Sequence, residues 1–260
     1  MALLAGKTAV ITGGSRGIGL ATARRFVQEG ATIFIFSPRP AELDAAVATL
    51  GAAATAIHGD VTGSADLQKL RAIVAATGNG VDAIFANTGI AGAAPLGEIT
   101  HKHFDSLFGI NVKGVVLTIQ TLLPLLNDRA SIILTASVAA DRGRIGASVY
   151  AATNAALRSF AHTWANELAD RNIRVNTVNL ASTDAPGPNE LVDNAVAESM
   201  EQLKTPRGQE IPFGRLAQAD EVANAVVFLA SDLSSFTTGT ALSVDGGYSQ
   251  IRSPTLRLHN

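Results

Sequence analysis

The chain contains no cysteine, which excludes disulfides, thiolate metal sites and a cysteine nucleophile, and leaves the redox compartment only weakly indicated. Charge is sparse as well. Asp, Glu, Lys and Arg make up 16% of the residues, and the formal net charge of −2 is not gathered into runs. Nothing electrostatic therefore favours nucleic acid or an acidic membrane surface as a partner, and small molecules are expected instead. No uninterrupted apolar stretch approaches membrane-spanning length, and "MALLAGKTAVITGG" has no basic leader before its short apolar run. No anchor or targeting segment is expected, and cytoplasm is the default location. What the chain has in quantity is apolar material, 47% of 260 residues, enough for a substantial core and without the composition of a disordered segment. One large α/β domain over residues 1–260 is expected.

Short β-rich apolar runs alternate with longer amphipathic stretches, the pattern of strand–helix units around a parallel sheet. Strands are expected at Thr8–Thr12, Thr32–Phe36, Thr55–His58, Asp82–Ala86, Ser131–Thr135, Arg174–Val178 and Ala241–Val244. Helices are expected at Gly17–Gln28, Ala41–Leu50, Ala65–Ala76, His101–Leu126, Val149–Asp170 and Asp220–Leu229, covering both faces. Ser182–Arg215 breaks the rhythm, with Pro and Gly at both ends and an amphipathic middle, and reads as a lid over a site. Its apolar residues Leu191, Met200, Leu203 and Phe213 suit a moderately apolar substrate. The tail "IRSPTLRLHN" is expected to be ordered only against another subunit.

"AVITGGSRGIGLATARRF" places Gly13, Gly17 and Gly19 between the first strand and first helix. Glycines there let backbone N–H groups approach a pyrophosphate resting at the positive helix end. Tight turn geometry alone also calls for glycine, so the pattern gains weight only from the motifs downstream in the chain. "GDV" stands at Gly59–Val61, "ANTG" at Ala86–Gly89, "INVKG" around Asn111, "TAS" ending at Ser137, Tyr150 thirteen residues later, and "SVDGG" at Ser243–Gly247.

In this order and spacing the motifs resemble those of the short-chain dehydrogenase/reductase family over almost the whole chain. The resemblance implies a Rossmann-like, doubly wound parallel sheet of seven strands with helices on both faces. It also implies a nicotinamide coenzyme held by Gly13, Ser15, Arg16, Gly17, Ile18 and Gly19 in the first turn, by Arg39, Asp60, Val61, Asn87 and Gly89, and by Asn154 and Thr183. Asp60 can accept from an adenine amino group and Asn87 can tie strands beside the ribose; a turn-former and a strand cap are the structural alternatives. No acidic residue ends the second strand, "TIFIFSPRP", where a carboxylate would bind the ribose 2′-OH of NAD. Arg16 and Arg39 stand where a 2′-phosphate could be met, so NADP(H) is favoured and NAD(H) stays possible, with Pro38 at a position often basic in NADP-using relatives.

In the family a serine polarises a carbonyl, a tyrosine moves the proton, a lysine four residues on binds the nicotinamide ribose and lowers the tyrosine pKa, and an asparagine holds a water relay. Ser137, Tyr150 and Asn111 map onto three of these roles, and Asn154 replaces the lysine. Arg158 is the one cation further along that helix and is expected on another face. A tyrosine of pKa about 10 is ionised in roughly one molecule in a thousand at neutral pH. Alcohol oxidation needs the tyrosinate, whereas carbonyl reduction needs the neutral phenol, so reduction is expected to suffer less from the missing cation. Thr88, Leu180, Ala181 and Ala185 also depart from the family pattern, all on the nicotinamide side. The expected activity is NADP(H)-dependent reduction of a ketone or related carbonyl. The alternatives are a non-redox enzyme of the same fold, such as a cyclase, isomerase or dehydratase, or a catalytically impaired nucleotide-binding protein. The family implies a homodimer or homotetramer, to which Ala151, Ala155, Ala156, Phe160 and Trp164 of one long helix are suited. His101 and His103 lack a carboxylate-rich closure, and no metal is expected.

Overall fold

Thr8–Thr12 (β1) carries the run TAVIT and is buried along its whole length, as a strand covered on both faces must be. The computed structural model describes residues 2–185 and 208–251, so Leu191, Met200, Leu203 and the tail from residue 252 lie outside the described residues. Thr32–Ser37 (β2), Ala54–His58 (β3), Val81–Ala86 (β4), Leu126–Ser137 (β5) and Arg174–Leu180 (β6) are further strands of the same sheet. Two-residue strands Thr183–Asp184 (β7) and Ala217–Gln218 (β8) pair separately, and Ala241–Val244 (β9) completes the main sheet. Its seven strands run β3-β2-β1-β4-β5-β6-β9, every neighbour parallel.

Period-two alternation assigns the faces. Ala9 and Ile11 share a core with Phe26 of Gly17–Gln28 (α1), Leu43 of Pro40–Leu50 (α2) and Val226 of Ala219–Ala230 (α7). Val10 faces the opposite core, with Leu70 of Ser64–Ala75 (α3), Ile119 of Val115–Leu122 (α5) and Leu157 of Ser148–Glu167 (α6). The chain builds outward from β1 to β3 and then crosses to β4 on the other side of β1. The carboxyl ends of β1 and β4 therefore flank the crevice where open α/β sheets bind ligands.

The expected helix His101–Leu126 is corrected in two places. It runs as His101–Phe108 (α4), a π-helical stretch Gly109–Gly114 and α5, followed by a 3₁₀ turn at Leu123–Leu125. Pro124 cannot continue the α-helical ladder, so Leu126 begins β5 instead of ending the helix. β5 is accordingly longer than Ser131–Thr135; its early part pairs Leu126 with Val81, shifts register, and resumes at Ser131 opposite Ala83. Arg129, with φ of 66°, lies in the shifted segment. His101–Leu125 is long and apolar enough by composition to pass for a membrane span, although Lys102, Asp105 and Lys113 interrupt it, and Leu107, Val115, Ile119 and Leu122 are buried in the protein. The small-residue face of α6 leaves Ala155 exposed, while Phe160 and Trp164 stack at 5.1 Å between ring centroids.

The two ends of the expected lid meet. β7 and β8 pair Thr183 with Ala217, and the Ala217 N–H donates to Ser182 O at 3.1 Å. Arg215 then grips Glu221 with both guanidinium nitrogens, at 2.8 and 2.7 Å, while the Gln218 N–H donates to the same carboxylate in a capping box at the start of α7. These bonds hold the Glu221 carboxyl down to about 2.

Candidate active site

The turn between β1 and α1 is shaped for close approach. Gly13 and Gly17 adopt φ of 64° and 54°, a region L-residues rarely enter, and a Cβ on Gly19 would stand 2.1 Å from Gly13 O. α1 starts at Gly17 after an extended Arg16 that places no side-chain cap on it, so its first N–H groups face the crevice with the positive end of the helix. Ser15, Arg16, Ile18 and Gly19 lie in the same turn or the first helical residues. Beside them the buried Thr88 Oγ1 has no hydrogen-bond partner and sits 3.3 Å from where a Gly13 Cβ would be. A cradle that a methyl group would fill, with an orphaned hydroxyl at its wall, fits a dinucleotide diphosphate. Gly19→Ala is expected to destabilise the fold by about 1–3 kcal/mol through overpacking and to remove coenzyme binding. Thermal unfolding and fluorescence titration check the two effects.

On the ribose side the expected residues converge, with two that sequence patterns did not single out. Arg39 precedes α2, whose first turn carries Glu42; Ser37 ends β2. Ser15 Oγ lies 3.0 Å from Ser37 Oγ and donates to Glu42 Oε2 at 3.0 Å. Arg16 and Arg39 approach Glu42 Oε1 at 4.0 and 3.7 Å. The legible signal for Glu42 was its i,i+3 spacing from Arg39. Asp60 forms a local turn, accepting from the Thr62 N–H and hydroxyl at 2.7 Å each. Val61 is buried, its Cγ2 2.7 Å from where a Cβ on Gly114 would stand. Asn87 ties strand ends: its N–H donates to Thr12 Oγ1 at 3.1 Å and its Oδ1 accepts from Thr135 at 3.2 Å. Thr183 donates to Ala181 O at 3.3 Å, and its neighbours Asp184 and Ala185 line a cleft with Gly17, Leu20 and Arg24.

The residues expected to carry proton transfer lie at the carboxyl end of β5 and at the start of α6. Ser137, the last residue of that strand, accepts from the Ala139 N–H at 3.2 Å and donates to Leu180 O across the β5–β6 register at 3.3 Å. Tyr150 lies in the first turn of α6, half-buried, with Asn154 one turn on and buried. Asn154 Nδ2 donates to the Tyr150 backbone carbonyl at 2.7 Å. Arg158 pairs with Asp141, which engages that cation outside the Tyr150–Asn154 pair. Burial pushes the Tyr150 phenol above its ordinary value, against smaller lowering influences from the Ser137 and Asn154 side chains.

Asn111 sits in the π-helical stretch, where it acts as a clamp. Its Oδ1 accepts from the Ile90 N–H and its Nδ2 donates to Ile90 O, both at 2.8 Å, and Nδ2 also donates to Thr153 Oγ1 at 3.3 Å. Thr153 in turn donates to Tyr150 O at 2.7 Å. The loop after β4, the π turn and α6 are thereby joined through Thr153, a residue no family motif marks. Gly89 completes this corner, with Asn111 Oδ1 3.4 Å from where a Gly89 Cβ would be.

Comparison with known proteins places this geometry among relatives. A family model described as "Enoyl-(Acyl carrier protein) reductase" matches residues 13–249. "Oxidoreductase asL5" of Sarocladium schorii is 44% identical over 250 residues, covering 95% of this chain and 98% of that protein. The short-chain dehydrogenase/reductase "Glucose/ribitol dehydrogenase" of Brucella melitensis superposes with a TM-score of 0.88 at 29% identity, over 96% of this chain and 99% of that one. The 3-ketoacyl-(acyl-carrier-protein) reductase of Brucella melitensis, solved in complex with NADH, superposes at 0.85 with 31% identity, over 95% and 99% of the two chains. A glycine cradle at the switch point, a serine at the end of the fifth strand with a tyrosine in the first turn of α6, and this likeness over nearly the full length make the chain a member of the short-chain dehydrogenase/reductase family of nicotinamide-dependent oxidoreductases.

Proposed function

We propose that the protein reduces a ketone or related carbonyl with NADP(H), Tyr150 being the proton donor. The observation that carries this reading is the environment of Tyr150: burial raises its pKa, and the position one turn on holds the neutral Asn154. A phenol so placed keeps its proton at neutral pH and is ready as an acid. Ser137 supports the same direction, because its 3.3 Å bond to Leu180 O is long enough to be exchanged for a substrate carbonyl oxygen. Bound nicotinamide dinucleotide supplies the hydride. Gly13, Ser15, Gly17, Ile18 and Gly19 would hold its diphosphate, Asp60, Val61, Asn87 and Gly89 its adenosine half, Asn154 and Thr183 its nicotinamide half, and Arg16 with Arg39 a 2′-phosphate. Asn111 acts at one remove, keeping Tyr150 in place through Thr153.

NADPH deuterated at the transferable position, incubated with a panel of ketones, tests the proposal. Deuterium is expected at the carbinol carbon of the product. Unlabelled product formed at full rate would assign the same Tyr150–Ser137 pair to non-redox chemistry instead.

A further inference from the structure

We propose that Glu42 determines coenzyme specificity, acting as an internal anion that competes with the 2′-phosphate of NADP(H) for Arg16 and Arg39. The inference rests on the assignment of those two arginines to the 2′-phosphate. Glu42 Oε2 takes the Ser15 hydroxyl at 3.0 Å, with Ser37 a further 3.0 Å beyond, while Oε1 faces Arg16 at 4.0 Å and Arg39 at 3.7 Å. Two guanidinium groups and a pair of hydroxyls are the donors that recognise a phosphate monoester, and here a carboxylate already stands among them. Its side chain is 33% exposed, and those of Arg16 and Arg39 are 17% and 28% exposed, so the cluster borders solvent where a ribose substituent can reach it. A 2′-phosphate entering this cluster meets a like charge and must draw the arginines from an existing partner. NAD(H), which lacks that phosphate, leaves the Glu42–arginine contacts undisturbed. Discrimination between the coenzymes is therefore smaller than the two arginines alone would produce, and Glu42 sets its size.

Calorimetric titration of the full chain with NADP⁺ and NAD⁺, without substrate, reads binding apart from turnover. Glu42→Gln keeps a side chain of the same shape and removes its charge. It is expected to tighten NADP⁺ roughly three- to tenfold while NAD⁺ stays within about twofold, the size of a few partly exposed charge contacts. Glu42→Ala, checked for folding by circular dichroism, should move in the same direction, and the gain should shrink in a background carrying Arg39→Ala. Unchanged affinities, or equal changes for both coenzymes, would overturn the role of Glu42. The arginine assignment would survive that result if the native chain still bound NADP⁺ the tighter and Arg39→Ala weakened it. Weaker NAD⁺ binding in Glu42→Gln would also overturn the proposal, by assigning the carboxylate to the ribose hydroxyls. A native preference for NAD⁺ combined with the NADP⁺ gain in Glu42→Gln would uphold the competition and remove the NADP(H) preference.

Discussion

Tyr150→Phe is expected to lower carbonyl reduction by about two to four orders of magnitude, the usual contribution of a positioned proton donor. The ring keeps its place in the first turn of α6, since Thr153 and Asn154 both hold the backbone carbonyl of residue 150, which the substitution leaves intact. Coenzyme affinity should change by less than about threefold, because the glycine turn and the Ser15–Glu42–arginine cluster are untouched; an effect of that size is within ordinary packing adjustments. Steady-state kinetics with a reducible ketone and fluorescence titration with NADPH separate the two. A loss of both activity and binding would make Tyr150 a structural residue.

Asn154→Lys introduces the cation that the family resemblance leads one to expect one turn after Tyr150. A cation within about 4–6 Å lowers the pKa of an acidic group by about one to three units, and each unit raises the tyrosinate fraction tenfold below that pKa. The overall equilibrium ties forward and reverse kcat/KM together at any single pH, so the effect belongs in the pH profile. In the native chain, kcat/KM for alcohol oxidation with saturating coenzyme should climb with pH and continue climbing past pH about 10, since the Tyr150 phenol is raised above its ordinary value. In Asn154→Lys the plateau should arrive about one to three pH units earlier. A profile that does not move would mean that residue 154 does not act on the phenol. The same raised pKa bears on stability: the folded chain holds this proton more tightly than the unfolded chain. Tyr150 thus contributes stability below pH about 10, which is lost as pH rises through the folded value.

What was legible in the sequence was local. The runs TAVIT and TIFIFS carry their strands in their own composition, and the glycines announce the turn because residues with a side chain rarely adopt the backbone of Gly13 and Gly17 and a Cβ at Gly19 would strike Gly13 O. The spacing of Tyr150 from Asn154 placed them on successive turns of one helix. What the pattern left open depends on partners distant in sequence. Asn111 meets Ile90 across 21 residues and Thr153 across 42, from a π-helical stretch whose extra residue per turn leaves no hydrophobic periodicity to read. Ser15 meets Glu42 across 27 residues, a pairing set by the β1–β2 register. Asn154 has two hydrogen-bonding ends, and only the folded helix shows that its amide turns to the Tyr150 carbonyl. The boundary at Leu126 is hidden in the sequence because Pro124 follows a strongly apolar helix, and apolar continuity masks the break.

A phenol that keeps its proton is the centre of the proposed chemistry, and that property can be measured without a substrate. The chain contains two tyrosines, so the ultraviolet difference between the native protein and Tyr150→Phe isolates a single ionisation, with Tyr248 subtracted. The expected result is phenolate absorbance for Tyr150 appearing only above pH about 10. Ionisation at or below pH about 8 would show that some other group supplies the missing positive field, and would contradict the assignment of Tyr150 as a neutral proton donor.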